Sequence, residues 1–328
     1  MTDTARLDKP FDKSGYWAVI LGGSSGFGLA TAKRMAKAGM NILIGHKDTG
    51  GAVETSIKPH FDEIRAQGVR LVTHNVNLFD EDGRGEVFES IAENAGKAKV
   101  HLFMHSIAAG ACKLLTEDRG HDFKAEAFRG LSASLKKEGV SVSPETLKKA
   151  ANDAFHEGRC DALHTLADSK IPYRDTMLEE ADLQRTVWMM GYDHMLWTRE
   201  LHKEGLLSPS ARVVALTSEG NTVSWKGYAA VSAAKCGLEA CGRALAVELG
   251  PHGIRSFILQ PGITDTPAGN AIPNFDLMKA EARIRNPSRR LTTPEDVAAV
   301  VCGMCLPGFD WVNGAIIRVD GGEAVSGG

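Results

Sequence analysis

What the chain lacks narrows the field before any motif is read. No apolar run approaches the roughly 18 residues of a membrane-spanning helix, and the opening "MTDTARLDKPFDKSGY" has no apolar core of a signal peptide. Both absences predict a soluble, cytoplasmic protein with no membrane contact. Charge of one sign is not in excess: 38 Lys and Arg against 41 Asp and Glu leave a net charge of −3, which offers nothing to a nucleic-acid backbone. There is no internal repeat and no low-complexity tract. Six cysteines in 328 residues do not make a disulfide framework. Cys302 and Cys305 in "VCGMC" have C-x-x-C spacing, but that is half a zinc site with no second half near it in sequence. The surrounding "PEDVAAVVCGMCL" reads as an apolar helix on which the two thiols share a packed face. No metal is expected.

What is present is enough for a large core: 43% of the residues are apolar. The length suits one enlarged α/β domain over residues 1–328. "WAVIL" (17–21) reads as a buried strand, "NILIG" as a second, "VRLVTHNVNL" (69–78) as the end of a third and "VHLFMHS" as a fourth, each separated by a helical pattern. "ARVVALTS", "RSFILQPG" and "AIIRVDGG" supply three more. Strands alternating with helices predict a Rossmann-type, doubly wound parallel sheet. The alternation breaks between about Cys112 and Met177, which is polar and helical. There Ser143 and Pro144 mark a helix start and Gly158 a stop. We read 112–177 as a helical insertion near the substrate cleft, not as a domain of its own.

"LGGSSGFG" joins the first strand to the first helix, the context a phosphate-binding loop needs. Gly22 permits the tight turn, Gly26 lets the backbone approach a pyrophosphate, and Gly28 allows close helix–sheet packing. Ser24, Ser25 and Phe27 complete the cofactor-binding loop. At the end of the second strand, "GHKD" places His46 and Lys47 where a carboxylate usually meets the ribose of NAD. Two cations there favour the 2′-phosphate of NADP(H), while Asp48 leaves NAD(H) open.

These motifs resemble the short-chain dehydrogenase/reductase family and, within it, the enoyl-ACP reductase branch. The loop is similar to the family's T-G-x-x-x-G-x-G, with Leu21 where Thr is usual. "HSIAAG" looks like the enoyl reductases' H-S-I turn, so the resemblance implies that Ser106, Ile107 and Ala108 face the cofactor. "PGITDT" matches P-G-x-x-x-T, which implies that Pro261, Gly262, Ile263 and Thr266 hold the nicotinamide carboxamide. "VDGG" (319–322) matches the family's C-terminal ending. Ser218 falls at the catalytic serine, and Asn77, or else Asn75, falls at the adenine-side acid.

In "GYAAVSAAK" the tyrosine is Tyr228 and the lysine Lys235, the Tyr-x6-Lys spacing of the enoyl reductases. The commoner branch has its tyrosine four residues before the lysine, which here is Val231. Four and seven residues return to one helix face a turn apart, so Tyr228 suits an oxygen further from the hydride acceptor. The resemblance implies NAD(P)H-dependent reduction of the C=C bond of a 2-enoyl thioester, carried on coenzyme A or an acyl carrier protein. Tyr228 would stabilise the enolate oxygen, assisted by Ser218. Lys235 would bind the nicotinamide ribose and lower the tyrosine pKa. Glu219 stands where many enoyl reductases have a second tyrosine, and Met190 where the commoner branch has an asparagine. Lys279, Arg283, Arg285, Arg289 and Arg290 crowd the following lid region, either to meet carrier phosphates or acidic carrier protein, or as a solvated helix face. The rival readings are a carbonyl reductase or alcohol dehydrogenase of the same family and a non-catalytic dinucleotide sensor. The family also implies a homo-oligomer, commonly a tetramer.

Overall fold

A computed structural model describes residues 9–118, 123–174 and 176–327. Seven strands form one parallel sheet in the order β3-β2-β1-β4-β5-β6-β7: Trp17–Leu21, Asn41–His46, Leu71–Asn75, Val100–His105, Leu207–Leu216, Arg255–Pro261 and Ala315–Val319 for β1 to β7. β1 is buried along its whole length because both of its faces are covered. Ala18 and Ile20 point into a layer with Leu29, Met35, Phe61 and Val301. Trp17, Val19 and Leu21 point the other way, towards Val87, Phe103, Trp197 and Leu245. The period of two in a strand thus feeds two separate helical layers.

Strand order reverses between β1 and β4, and a cleft opens at the carboxyl ends of strands at such a point. The Gly26–Lys37 helix follows β1 there, and the Ala229–Leu249 helix packs across β6. After residue 179 two helices, Glu180–Val187 and Asp193–Lys203, are joined by a π-helical turn at Trp188–Tyr192. Gly191 in that turn lets it approach the backbone of Ala234.

Segment 112–177 contains the helices Phe123–Lys137 and Pro144–His156 and the 3-10 turn Asp161–Leu163. Ser143 caps the second helix, accepting from Thr146 N at 3.2 Å. An isolated bridge between Leu114 and Met177 closes the base of the segment. Its far end packs on the Phe275–Arg285 helix through Phe155, Ala167 and Ala280. Cys302 and Cys305 are buried free thiols at the end of the Pro294–Met304 helix. Among the described residues no helix is long and apolar enough to cross a membrane.

Candidate active site

The glycine loop has the geometry that close approach requires. Gly22 has φ +80, and a Cβ there would lie 2.5 Å from Ser106 O. A Cβ on Gly28 would lie 2.2 Å from Gly22 O, so the loop folds this tightly only with glycine at both places. Ser25 is the N-cap of the Gly26–Lys37 helix, yet its side chain makes no cap hydrogen bond. The N–H groups of the first turn are therefore open to an anion, at the positive end of a helix dipole. Ser106 N donates to Leu21 O at 2.8 Å, setting the "HSI" turn beside the loop. Ile107 packs into the core and Ala108 is exposed. On the other side Thr266 comes within 3.5 Å of the place a Gly26 Cβ would take. Pro261, Gly262, Ile263 and Thr266 line one cavity with Phe27. The Thr266 hydroxyl accepts from Gly269 N at 3.1 Å, which leaves its own proton to donate.

His46 and Lys47, the two residues after Gly45, take different directions. His46 is turned inward, its side chain 2% exposed, with Nδ1 2.8 Å from the Asp48 carboxylate and its ring edge against Phe61. It cannot meet a phosphate at the surface, so the sequence expectation for His46 is corrected. Lys47 is exposed. At the end of β3, the Asn75 amide is consumed by the Asp48 backbone, accepting from N at 2.8 Å and donating to O at 3.0 Å. Asn77 has only a long contact, 3.4 Å from Phe79 N to its Oδ1, and keeps its amide N–H groups available.

Tyr228 is the N-cap of the Ala229–Leu249 helix, so it stands just outside the first turn and not on the helical face itself. Its Oη lies 3.3 Å from Ser218 Oγ. Trp225 packs edge-on against its ring, and Gly220 leaves the space the ring fills. Val231 is buried beside Met190 and presents no polar group. Lys235 is buried, and its Nζ donates to Leu216 O at 2.7 Å. A three-donor ammonium that gives one hydrogen to Leu216 O fits a ligand that brings hydroxyls, such as a cofactor ribose.

The titration of this pair departs from expectation. Burial pushes the Tyr228 phenol up to about 12, only partly offset by the hydrogen bond from Ser218, and Lys235 is not among the charges that act on it. Burial lowers Lys235 to about 8, with Glu239 opposing that shift. Desolvation therefore outweighs the lowering of the tyrosine expected from the lysine.

Several polar contacts around the site join residues that the sequence reading did not connect. Arg285 forks onto both Glu219 oxygens, at 3.0 and 2.6 Å, and reaches Glu323 at 3.1 Å. Fully buried Asp193 takes Arg84 at 2.6 Å and His105 at 3.1 Å. His194, next in sequence, donates to Gly191 O through Nδ1, and burial lowers it to about 3. The basic run is not a free cluster. Arg283 pairs with Asp161, Arg290 with Asp296, Lys279 with Asp265, and Arg289 bonds the Ile284 carbonyl. Arg283 and Arg285 are thus engaged within the protein, while Arg289 and Arg290 stay exposed at the surface. The signals were there in Glu219 and in Glu323, directly after "VDGG", but no local pattern ties them to Arg285.

Two cavities meet at the tyrosine. One of about 130 Å3 is lined by Thr217, Ser218, Glu219, Tyr228, Gly262, Ile263, Phe275, Met278 and Glu323, among others. The other, about 760 Å3, lies between Leu114–Asp118 and the start of the tyrosine helix, and shares Trp225 and Tyr228 with the first.

A family model described as Enoyl-(Acyl carrier protein) reductase matches residues 142–323, and one described as short chain dehydrogenase matches residues 16–124. Subunit BbsD of the (2S)-[(R)-hydroxy(phenyl)methyl]succinyl-CoA dehydrogenase of Thauera aromatica is 29% identical over 207 residues, 62% of this chain and 80% of that protein. The Escherichia coli enoyl-[acyl-carrier-protein] reductase [NADH] FabI is 30% identical over 121 residues, 37% of this chain and 46% of that one. In fold, the chain is similar to a Serratia marcescens short-chain dehydrogenase/reductase, with TM-score 0.67 and 17% identity over 96% of this chain and 99% of that one.

Proposed function

Because this chain belongs to the short-chain dehydrogenase/reductase family of NAD(P)-dependent oxidoreductases, we propose that it reduces the C=C bond of a 2-enoyl thioester, carried on coenzyme A or an acyl carrier protein. The observation that carries the reading is the placement of the only phenol in the small cavity. Tyr228 lies 3.3 Å from Ser218, while buried Val231 occupies the place nearer the lysine. The nicotinamide cofactor supplies a hydride to the carbon β to the thioester carbonyl. Everything else falls to the chain. The Tyr228 hydroxyl, protonated at neutral pH, donates to the carbonyl oxygen as negative charge gathers there. Ser218 fixes the direction of that hydroxyl. Lys235 offers its remaining N–H groups to the ribose.

The bound cofactor is held by the uncapped start of the Gly26–Lys37 helix, by the Ser106–Ala108 turn and by Pro261–Thr266. Lys47, the exposed cation after β2, makes NADPH the favoured donor, with Asp48 drawn away towards His46. Asn77 receives the adenine. One wall of the small cavity, Pro261–Thr266, serves the nicotinamide; the space under Phe275 and Met278 takes the acyl end, and the larger cavity on the far side of Tyr228 gives the carrier arm a way out. Segment 112–177 caps this cleft. An assembly of several copies and a cytoplasmic setting follow from the same family reading.

A ketone-reducing reading stands second, because a relative similar over 62% of this chain is a dehydrogenase. Oxidation of NADPH and NADH is therefore followed with crotonyl-CoA and with acetoacetyl-CoA. Turnover of crotonyl-CoA that depends on Tyr228 is expected. Turnover of acetoacetyl-CoA alone would replace the enoyl reading with the ketone one.

A further inference from the structure

The small cavity is fixed in size from two sides. Pro261–Thr266 on one wall are the residues that would hold the nicotinamide, so the acyl end is left the space under the opposite wall. The roof of the cavity is the Phe275–Arg285 helix, through Phe275 and Met278. From outside, segment 112–177 pins that helix. Arg283 forks onto Asp161 with two contacts of 2.6 Å. Asp276 accepts from Ser169 Oγ at 2.6 Å and from Lys170 N at 2.9 Å, and Asn274 N donates to Ile171 O at 2.8 Å. From inside, Arg285 ties the end of the same helix to Glu219 after β5 and to Glu323 after β7. The bridge is sheltered, with side chains 23%, 13% and 2% exposed. A roof held at both edges cannot rise for a longer chain without separating buried ion pairs, which is costly because the charges left behind are desolvated.

The bridge also carries a sign. Two carboxylates share one guanidinium at the cavity wall, and burial together with Glu219 raises Glu323 above the usual carboxylate range, so the wall has no positive charge to spare for another anion. Glu323 Oε2 is buried with no partner, and Glu323 Oε1 already serves Ile263 N at 3.3 Å. Asp320 lines the same wall, its oxygens accepting from Gly322 N and Ala324 N. A second anion placed here would face uncompensated repulsion in a poorly screened setting.

Building on the enoyl-thioester reading, we propose that the Glu219–Arg285–Glu323 bridge determines specificity, restricting the acyl end to a short, uncharged group. Rejection here comes from a rigid wall and a like charge, not from missing contacts.

The test compares kcat/KM for trans-2-butenoyl-CoA, trans-2-dodecenoyl-CoA and glutaconyl-CoA. It uses the wild type, the Glu219→Ala/Arg285→Ala double variant and Glu323→Gln, with thermal melting to verify folding. The wild type is expected to prefer the butenoyl substrate to both others by about tenfold or more. The double variant should bring the dodecenoyl ratio within about threefold while still rejecting glutaconyl-CoA, because Glu323 keeps its charge. Glu323→Gln should relax rejection of glutaconyl-CoA. If the double variant does not fold, Arg285→Met removes the bridge and keeps the stem. Equal use of dodecenoyl- and butenoyl-CoA by the wild type, or an unchanged ratio in the bridge-less variants, overturns the proposal. If butenoyl-CoA is not turned over at all, the enoyl reading fails instead, and the same chain-length ratio is read on 3-oxoacyl-CoAs.

Discussion

Lys235 gives one of its three ammonium hydrogens to the carbonyl of Leu216, 2.7 Å away at the end of β5. That contact joins the middle of the tyrosine helix to the strand that ends next to Ser218. The lysine sits in a place where charge is unwelcome, and burial lowers it to about 8. Its ordinary value is 10.5, so between these two values the unfolded chain binds more protons than the folded one. Stability should therefore rise with pH through that window. Lys235→Met should remove the penalty, stabilising the protein by at least ~1 kcal/mol at neutral pH while weakening cofactor binding. Denaturant unfolding across pH, with NADPH titration by fluorescence, checks both. A variant less stable than the wild type at pH 7 would contradict the first expectation.

Tyr228→Phe should lower kcat/KM with crotonyl-CoA by roughly 10²–10³, with the fold intact, because the ring is held by Trp225 and only the hydroxyl is lost. The pH profile should identify the ionising group. With the phenol at about 12 and the lysine at about 8, an alkaline limb near 8 belongs to Lys235. That limb should disappear in Lys235→Met and persist in whatever activity Tyr228→Phe retains.

Lys47→Ala should weaken NADPH binding by about tenfold and leave NADH nearly untouched. His46→Ala should not discriminate between the two, since His46 acts through Asp48 beneath the surface. Dissociation constants for both nucleotides decide the matter without any substrate. Equal losses for NADPH and NADH in Lys47→Ala would remove the case for a 2′-phosphate site.

Asp193→Ala should destabilise the protein by about 3–5 kcal/mol, because Asp193 is fully buried and joins Arg84 to His105. Chemical denaturation reads this directly. A loss under ~1 kcal/mol would mean that Arg84 and His105 reach other partners or solvent once the carboxylate is gone.

Much of the scaffold was legible from residue order because the signals are local. "WAVIL" forms β1 over the very residues 17–21 that the apolar run covers. The glycine loop follows from backbone sterics at Gly22 and Gly28, and Ser143 caps its helix as its sequence neighbours suggest. What the sequence did not disclose depends on partners far along the chain. The arginine run looked like one basic patch until Asp161, 122 residues away, claimed Arg283 and Glu219, 66 residues away, claimed Arg285. His46 could not be told from Lys47 because strand alternation decides which of two neighbours faces inward, and the strand's end is its least certain point. The pKa of Tyr228 was misjudged because spacing fixes the lysine's position but not the depth at which the phenol is buried.

The π-helical turn at Trp188–Tyr192 has a consequence for how this segment tolerates change in length. An α-helix advances about 100° per residue, and a π turn accommodates one residue more than its α-helical equivalent. Removing a residue there could restore regular winding, but everything downstream would then revolve by about that angle. Asp193, His194, Trp197 and Leu201, all now directed inward, would swing off the sheet together, and Arg84 and His105 would lose their common anchor. Length at this point acts as a phase setting: one residue fewer leaves the composition of the helix almost unchanged and faces the wrong side of it to the core.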